Sequence, residues 1–310
     1  MPPTAASPNA APGAATADHG FKLIPGLSAV ADQYEGFILD LWGVLHDGVQ
    51  AYEHAVETLQ QLKATGKPVC LLSNAPRREA AIVTRLNGLG LTGDLYDHLV
   101  TSGEATHQAL KNPPDAWHKA LGPVCYALSP HPEAEELTAG TNKQLTDDPH
   151  QADFLLAIGI GHADETLDDY RPALDAGLAR SIPLVCANPD LVVNAGGSRL
   201  AICAGAFAQY YQEQGGDVAY HGKPHGPIYD VCRNRLNLPV TAPILAIGDS
   251  MATDVTGAKQ ARFDACLITS GIHLKDVGVS HGTMPDTLAV QGLITRYGVT
   301  PDQVTALCKW

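Results

Sequence analysis

A small set of polar groups in this chain stands at the ends of apolar runs or in tight loops. Asp40 closes Phe37-Ile38-Leu39, and Ser73 and Asn74 close Val69-Cys70-Leu71-Leu72. Lys223 lies in Gly222-Lys223-Pro224, while Asp249 and Asp254 frame Gly248-Asp249-Ser250-Met251-Ala252-Thr253-Asp254. Each has a plain structural reading on its own. Asp40 ahead of Gly43 reads as a turn residue, Ser73 and Asn74 as caps of the next helix, and Lys223 as a solvated loop charge. Three strand-end carboxylates gathered only for capping, however, repel one another without a cation. Taken together the set is equipped for phosphoryl transfer. A carboxylate attacks phosphorus and forms an aspartyl phosphate, splitting one difficult displacement into two. Two or three carboxylates hold one Mg²⁺, a hard cation that keeps oxygen ligands. Ser73 and the backbone N–H groups of a helix start bind phosphoryl oxygens, and Lys223 offsets the charge that develops in the transition state.

That chemistry needs the segments to meet at one edge of a sheet. Short, mostly apolar strand-like runs at 36–41, 67–74 and 98–102 alternate with helical spacing at 52–65, 77–89 and 103–111, the signature of a doubly wound parallel sheet. In such a sheet ligands bind at the carboxyl ends of the strands, where Asp40 and Ser73 fall. Asn112-Pro113-Pro114 breaks the rhythm, and a separate set of strands and helices follows. The expected organisation is a flexible tail over 1–28, an α/β Rossmann-like core from 29–112 and 201–310, and an inserted α/β cap over 113–200. Polar 138–151 reads as a loop. The resumed core is expected to hold a helix at 204–213, a strand at 218–220, further helices at 227–236 and 254–260, strands at 244–247 and 265–269, and a helical C-terminal end.

Composition narrows the partners. A formal net charge of -13 argues against binding nucleic acid or an anionic membrane through a basic face. No apolar run approaches the roughly 18 residues that a spanning helix requires. The seven cysteines are scattered, odd in number and without a CxxC pair, which suits reduced thiols in a cytoplasmic protein rather than a disulfide framework or zinc site. The first twenty residues are rich in Ala, Pro and Ser without Lys or Arg, and read as a tail rather than a secretory leader. A homodimer is left open.

The motifs resemble the haloacid dehalogenase (HAD) superfamily, specifically its class IIA, NagD-like branch. The matching residues are Asp40-Leu41-Trp42-Gly43-Val44, Leu72-Ser73-Asn74, Gly222-Lys223-Pro224 with Pro227-Ile228-Tyr229, and Gly248-Asp249-Ser250 through Asp254. The resemblance covers roughly residues 30 to 275. It implies a cap inserted between the second and third motifs, Mg²⁺, and phosphatase activity on small phosphorylated metabolites. It further implies Asp40, Ser73 and Lys223 as catalytic residues, with Asp40, Asp249 and Asp254 at the metal. Gly43 and Asn74, together with Asn188 and Asp190 of the cap segment Ala187-Asn188-Pro189-Asp190, are then expected at the substrate.

One position departs from the pattern. Most phosphatases of this superfamily have Asp-x-Asp in the first motif, and the second Asp protonates the leaving oxygen; here Trp42 stands in its place. An indole N–H does no acid–base work at ordinary pH, and losing a general acid typically costs about 10² to 10⁴ in rate. The Trp42 backbone carbonyl remains available to Mg²⁺. Three readings follow: substrates with good leaving groups, such as acyl or aryl phosphates; another acid, with His46 or Asp47 nearest; or departure from phosphatase chemistry. Dehalogenases of the superfamily also lack the second Asp, but Asp249 and Asp254 serve a metal that dehalogenation does not require. The chain is therefore expected to be a Mg²⁺-dependent phosphatase, the alternative being a weak or inactive relative that binds a phosphorylated ligand. Arg77 and Arg78 read as solvated helix residues, and His221, His225 and His273 stay unassigned.

Overall fold

The computed structural model describes residues 19–128, 132–162, 164–194 and 200–310. In chain order the strands are β1 Lys22–Leu23, β2 Gly36–Asp40, β3 Val69–Ser73, β4 His98–Thr101, β5 Val124–Leu128, β6 Gln144–Leu145, β7 Phe154–Ala157, β8 Leu184–Cys186, β9 Val192–Asn194, β10 Leu200–Ile202, β11 Val218–Tyr220, β12 Ile244–Gly248, β13 Asp264–Ile268 and β14 Gln303–Thr305. They form a seven-stranded sheet in the order β1-β14-β13-β12-β2-β3-β4 and a five-stranded sheet in the order β11-β8-β7-β5-β6. All pairings within these two sheets are parallel. An antiparallel hairpin of β9 and β10 stands apart.

The core sheet is apolar on both faces because helices cover both, so its strands read as continuous hydrophobic runs rather than alternating ones. In β2, Phe37 and Leu39 join one buried cluster and Ile38 joins the cluster on the opposite face. From β2 the chain winds outward through β3 and β4, and after the cap it returns to β12 on the other side of β2. The reversal between β2 and β12 opens a crevice at the carboxyl ends of these strands. Leu39 pairs with Ile247, so Asp40 and Gly248 end their strands side by side. Asp40 pairs with Leu72, one residue before Ser73.

Three expectations need correction. The helix Ala204–Glu213 and the strand β11, assigned from sequence to the core, belong to the second sheet: Ala204, Phe207, Ala208 and Tyr211 are buried in its hydrophobic cluster, and β11 pairs with β8. The second sheet therefore takes in the chain up to Tyr220. The C-terminal end is not purely helical, since β14 follows the helix Thr287–Tyr297 and inserts beside β13. The tail expected over 1–28 is fixed in its last part: β1 pairs with β14, Ile24 and Leu27 are buried, and the Leu27 N–H donates to Lys309 O at 2.8 Å. These apolar side chains complete one face of the core. Residues 1–18 lie outside the described residues. Within 138–151 the two residues of β6 add a short edge strand to β5.

All seven cysteines are free and buried. Among the described residues no helix is long and apolar enough to cross a membrane.

Candidate active site

Asp40, Asp249 and Asp254 each present a carboxylate oxygen within 4.8 Å of the others, and all three are buried. Lys223 Nζ donates to Asp40 Oδ1 at 2.6 Å and to Asp254 Oδ1 at 2.8 Å, with only 3% of the residue exposed. Three carboxylates thus face one ammonium. Burial pushes the Asp40 carboxyl up to about 7, although Lys223 pulls against it. Asp249 is pushed well above the usual range, first by burial and then by the charges of Asp40 and Asp254. Burial works against the Lys223 ammonium, but Asp254 and Asp40 outweigh it and hold the group protonated. A site with excess buried negative charge and only hard oxygen donors fits a hard divalent cation.

Local structure accounts for the placement of each carboxylate. Asp249 follows the last residue of β12, and its Oδ2 accepts the Ile272 N–H at 2.8 Å. Gly43 and Gly271 press against the same carboxylate, and a Cβ on either would overlap it. Gly43 also has φ +80°, the left-handed region that favours glycine. Asp254 sits in a π-helical turn, Met251–Val255, rather than at the start of a regular helix; such turns recur at functional sites. Its Oδ2 accepts the Ser250 N–H at 3.1 Å, and Ser250 Oγ accepts the Thr253 N–H at 3.3 Å. His273, unassigned from sequence, braces this turn: its Nε2 accepts the Met251 N–H at 3.1 Å while Nδ1 meets Asp276 at 2.9 Å. A histidine five residues beyond β13 carries no motif that would have revealed this.

Asn74 joins the core to the cap. Its Oδ1 accepts the Lys223 N–H at 2.7 Å, and its Nδ2 donates to Lys223 O at 3.0 Å and to Asp190 Oδ1 at 2.8 Å. Gly222 is packed beside it, where a Cβ would lie 2.7 Å from Asn74 Oδ1 and 2.8 Å from Ser102 Oγ. Asn188 folds back on its own turn, accepting the Asp190 N–H at 3.1 Å. Burial raises the Asp190 carboxyl, partly countered by Asn74 and Lys223. Ser73 Oγ accepts the Ala75 N–H at 3.2 Å. The structure therefore brings together Asp40, Lys223, Asp249, Asp254, Asn74 and Asp190, and leaves Asn188 engaged in the turn.

Trp42 is 41% exposed. Its indole lies against Gly48, where a Cβ would overlap the ring, and meets the His46 ring edge-on at 5.8 Å between centroids. Both neighbours that the sequence offers as acids are otherwise engaged. His46 Nδ1 accepts the Gly48 N–H at 3.0 Å, and burial lowers the ring to about 4, so it is neutral at ordinary pH. Asp47 Oδ1 accepts the N–H groups of Val49 and Gln50, both at 2.8 Å, which holds that carboxylate ionised. Arg77 and Arg78 stay partly solvated, as expected, and also reach across to the cap and its neighbour helix: Arg77 pairs with Glu133, and Arg78 with Glu104 at 2.5 Å and Glu136 O at 3.4 Å. His221 Nε2 meets His118 Nε2 at 3.1 Å, with Asp115 on the far nitrogen of His118 at 2.7 Å, while His225 stacks on Tyr220.

Comparison with known proteins agrees with this geometry. A haloacid dehalogenase-like hydrolase family matches residues 37–139 and a HAD-hydrolase-like family matches residues 220–292, between them more than half of the chain. The sugar-phosphatase AraL of Bacillus subtilis is 26% identical over 76% of this chain and 83% of its own length. The solved structure of a haloacid dehalogenase-like hydrolase from Brucella suis superposes with a TM-score of 0.76 at 28% identity, over 92% of this chain and 99% of the other. A p-nitrophenyl phosphatase from Archaeoglobus fulgidus shares the fold, with a TM-score of 0.66 at 21% identity over 89% and 97% of the two chains. The chain belongs to the haloacid dehalogenase superfamily, in its NagD-like class IIA branch. Within that branch it is an enzyme of the phosphatase type.

Proposed function

We propose that the enzyme is a Mg²⁺-dependent phosphatase of a small phosphorylated metabolite, working through an aspartyl phosphate on Asp40. The carrying observation is the buried set of three carboxylates and one lysine at the β2/β12 crevice. In this reading an Asp40 oxygen is the nucleophile. Lys223, shared between Asp40 and Asp254, orients the nucleophile and offsets the charge on the transferring group. Ser73 Oγ, half-buried at the end of β3, donates its hydroxyl proton to a phosphoryl oxygen, and Gly43 and Asn74 shape the phosphate side of the pocket. Asp40, Asp249, Asp254 and the Trp42 carbonyl would hold Mg²⁺, which when bound neutralises phosphoryl oxygens. Asp190 of the cap, tied to Asn74, closes the site above the phosphate. Relatives named as a sugar phosphatase and a 5'-nucleotidase support the substrate class. A relative solved in complex with magnesium supports the metal.

The test is phosphate release from a panel of phosphate esters and acyl phosphates, with Mg²⁺ and then with chelator. Metal-dependent release that vanishes in Asp40→Asn is the expected result; unchanged rates in that variant would overturn the nucleophile assignment. Trp42 favours a second reading, a protein that binds a phosphorylated ligand with little turnover. That reading requires no release from any compound while a phosphorylated ligand still raises the melting temperature.

A further inference from the structure

Two histidines join the two crossovers that link the sheets. His118 stands on the short helix Ala116–Lys119, between the Asn112-Pro113-Pro114 break and β5. His221 directly follows β11 and lies two residues before Lys223. Both are buried, each 8% exposed, and their Nε2 atoms approach to 3.1 Å. Such a contact holds only with one hydrogen between the nitrogens, since two lone pairs or two N–H groups face to face repel. Asp115 sets the arrangement from the far side. Its Oδ1 accepts the His118 backbone N–H at 2.8 Å and meets His118 Nδ1 at 2.7 Å, and these bonds hold the carboxyl below its usual range, as an acceptor. Nδ1 is therefore protonated, which leaves Nε2 of His118 to pair with His221. Burial, and then the neighbouring His118, pushes His221 down to about 3, so its ring is neutral at ordinary pH. The Trp117 ring meets His118 edge-on, and its Nε1 donates to Asp217 Oδ2 at 2.6 Å, a second tie between the same two crossovers.

The chain between this contact and the ammonium is short and closely held. The His221 N–H donates to Cys186 O at 2.9 Å, and Asn74 bonds Lys223 on its N–H and C=O sides. Gly222 between them has φ +149°, and a Cβ there would lie 2.6 Å from Pro189, 2.7 Å from Asn74 Oδ1 and 2.8 Å from Ser102 Oγ. Resting on the phosphatase reading above, we infer that His118 and His221 are positioning residues for Lys223. The imidazole pair fixes the start of the segment Gly222-Lys223, and with it the path by which the ammonium reaches Asp40 and Asp254. Asn74 holds the lysine from the core sheet, and the histidines hold it from the first crossover. When the pair is broken, a buried imidazole nitrogen loses its partner beside the one residue whose charge the site cannot spare.

The measurement is kcat and KM with Mg²⁺, for acetyl phosphate and for the ester of the panel that the wild type turns over fastest, with the melting temperature alongside. The proteins are the wild type, His118→Asn, His118→Gln, Asn74→Ala and the double variant His118→Asn with Asn74→Ala. An Asn amide ends near the place of Nδ1, so it keeps a group for Asp115 and does not reach His221; a Gln amide extends to the place of Nε2. His118→Asn is expected to lower kcat about 10- to 100-fold, the scale of a small misplacement of a catalytic group. His118→Gln is expected to restore kcat to within about threefold of the wild type, because the partner of His221 is replaced. Since both positions act on one lysine, the double variant is expected to depart from the product of the single effects by at least about threefold, in either direction. A double variant at that product, or a kcat in His118→Asn within about twofold of the wild type, would overturn the assignment. So would a His118→Gln protein that regains the melting temperature and not kcat, which would make the contact structural only. Should His118→Asn fail to fold, His221→Asn and His221→Gln carry the same comparison from the other ring. No metal-dependent release by the wild type from any compound would instead overturn the phosphatase reading, and this inference with it.

Discussion

Removal of the Lys223 charge is the sharpest perturbation of the site. In Lys223→Met the apolar stem is kept and the ammonium, bonded at 2.6 and 2.8 Å to two buried carboxylates, is lost. Asp40, Asp249 and Asp254 then share one pocket with no counter-charge. Breaking a buried ion pair by removing one partner costs about 3–5 kcal/mol, because the other charge is left uncompensated. For a chain of this size each kcal/mol moves the melting temperature by about 2–4 °C, so the metal-free variant is expected to melt on the order of 10 °C below the wild type. A divalent cation supplies two charges to the same oxygens. Mg²⁺ should therefore return a larger share of stability to the variant than it adds to the wild type, while activity stays lost. The assay is thermal unfolding of both proteins at pH 8 in chelator and in excess Mg²⁺. A loss under about 2 °C in chelator, or equal Mg²⁺ increments in the two proteins, would refute the charge balance described for this pocket.

Further outcomes follow from the same geometry. Gly43→Ala forces a side chain into the Asp249 carboxylate at φ +80°, and a displaced ligand of this kind should lower kcat about 10²-fold at saturating Mg²⁺; wild-type kcat would show that the close approach is not needed. Asn74→Ala removes the bonds to Lys223 and Asp190 and is expected to reduce kcat/KM roughly 10- to 100-fold, from the usual cost of unpaired buried groups; a change under threefold would contradict the clamp. In chelator, stability of the wild type should fall as pH rises from about 4 to about 7: Asp40 has a folded pKa of about 7 against 3.8 unfolded, so the folded state holds a proton that rising pH removes. Mg²⁺ should flatten that slope, and a slope unaffected by the metal would separate Asp40 from the metal site. Finally, Trp42→Asp is expected to raise the ratio of alkyl to aryl phosphate hydrolysis at least about tenfold; an unchanged ratio would mean that an acid is not what position 42 lacks.

Much of the site was legible because its residues end long apolar strands. Phe37 to Asp40 and Val69 to Leu72 are buried on both faces, and apolar runs this short, bounded by turn residues, suit a central parallel strand. The short strands were not legible: β1, β6 and β14 have two or three residues each, too few to show a period. The helix Ala204–Glu213 and strand β11 were read correctly as elements and assigned to the wrong sheet, since an apolar strand carries no mark of which sheet receives it. Asp254 was read as opening a helix, because a π-helical turn has the composition of a helix start. The partners of Asn74 lie 116 and 149 positions away, so its capping reading was the only one local sequence offered. Trp42 announced itself as a departure, but its exposure and its support on Gly48 belong to the folded turn.

The position of Lys223 has a mechanical consequence. It lies three residues after the last strand of the second sheet, on the crossover that returns the chain to the core. This crossover ties the second sheet to the core, so the covalent link between the two layers runs directly beside the ammonium of the site. Asn74 grips the lysine backbone on both its N–H and C=O sides from the end of β3, and the same amide nitrogen reaches Asp190 of the cap. The amide acts as a clasp: one side chain at the end of a core strand fixes the backbone that carries the ammonium and the cap segment that lies beside it.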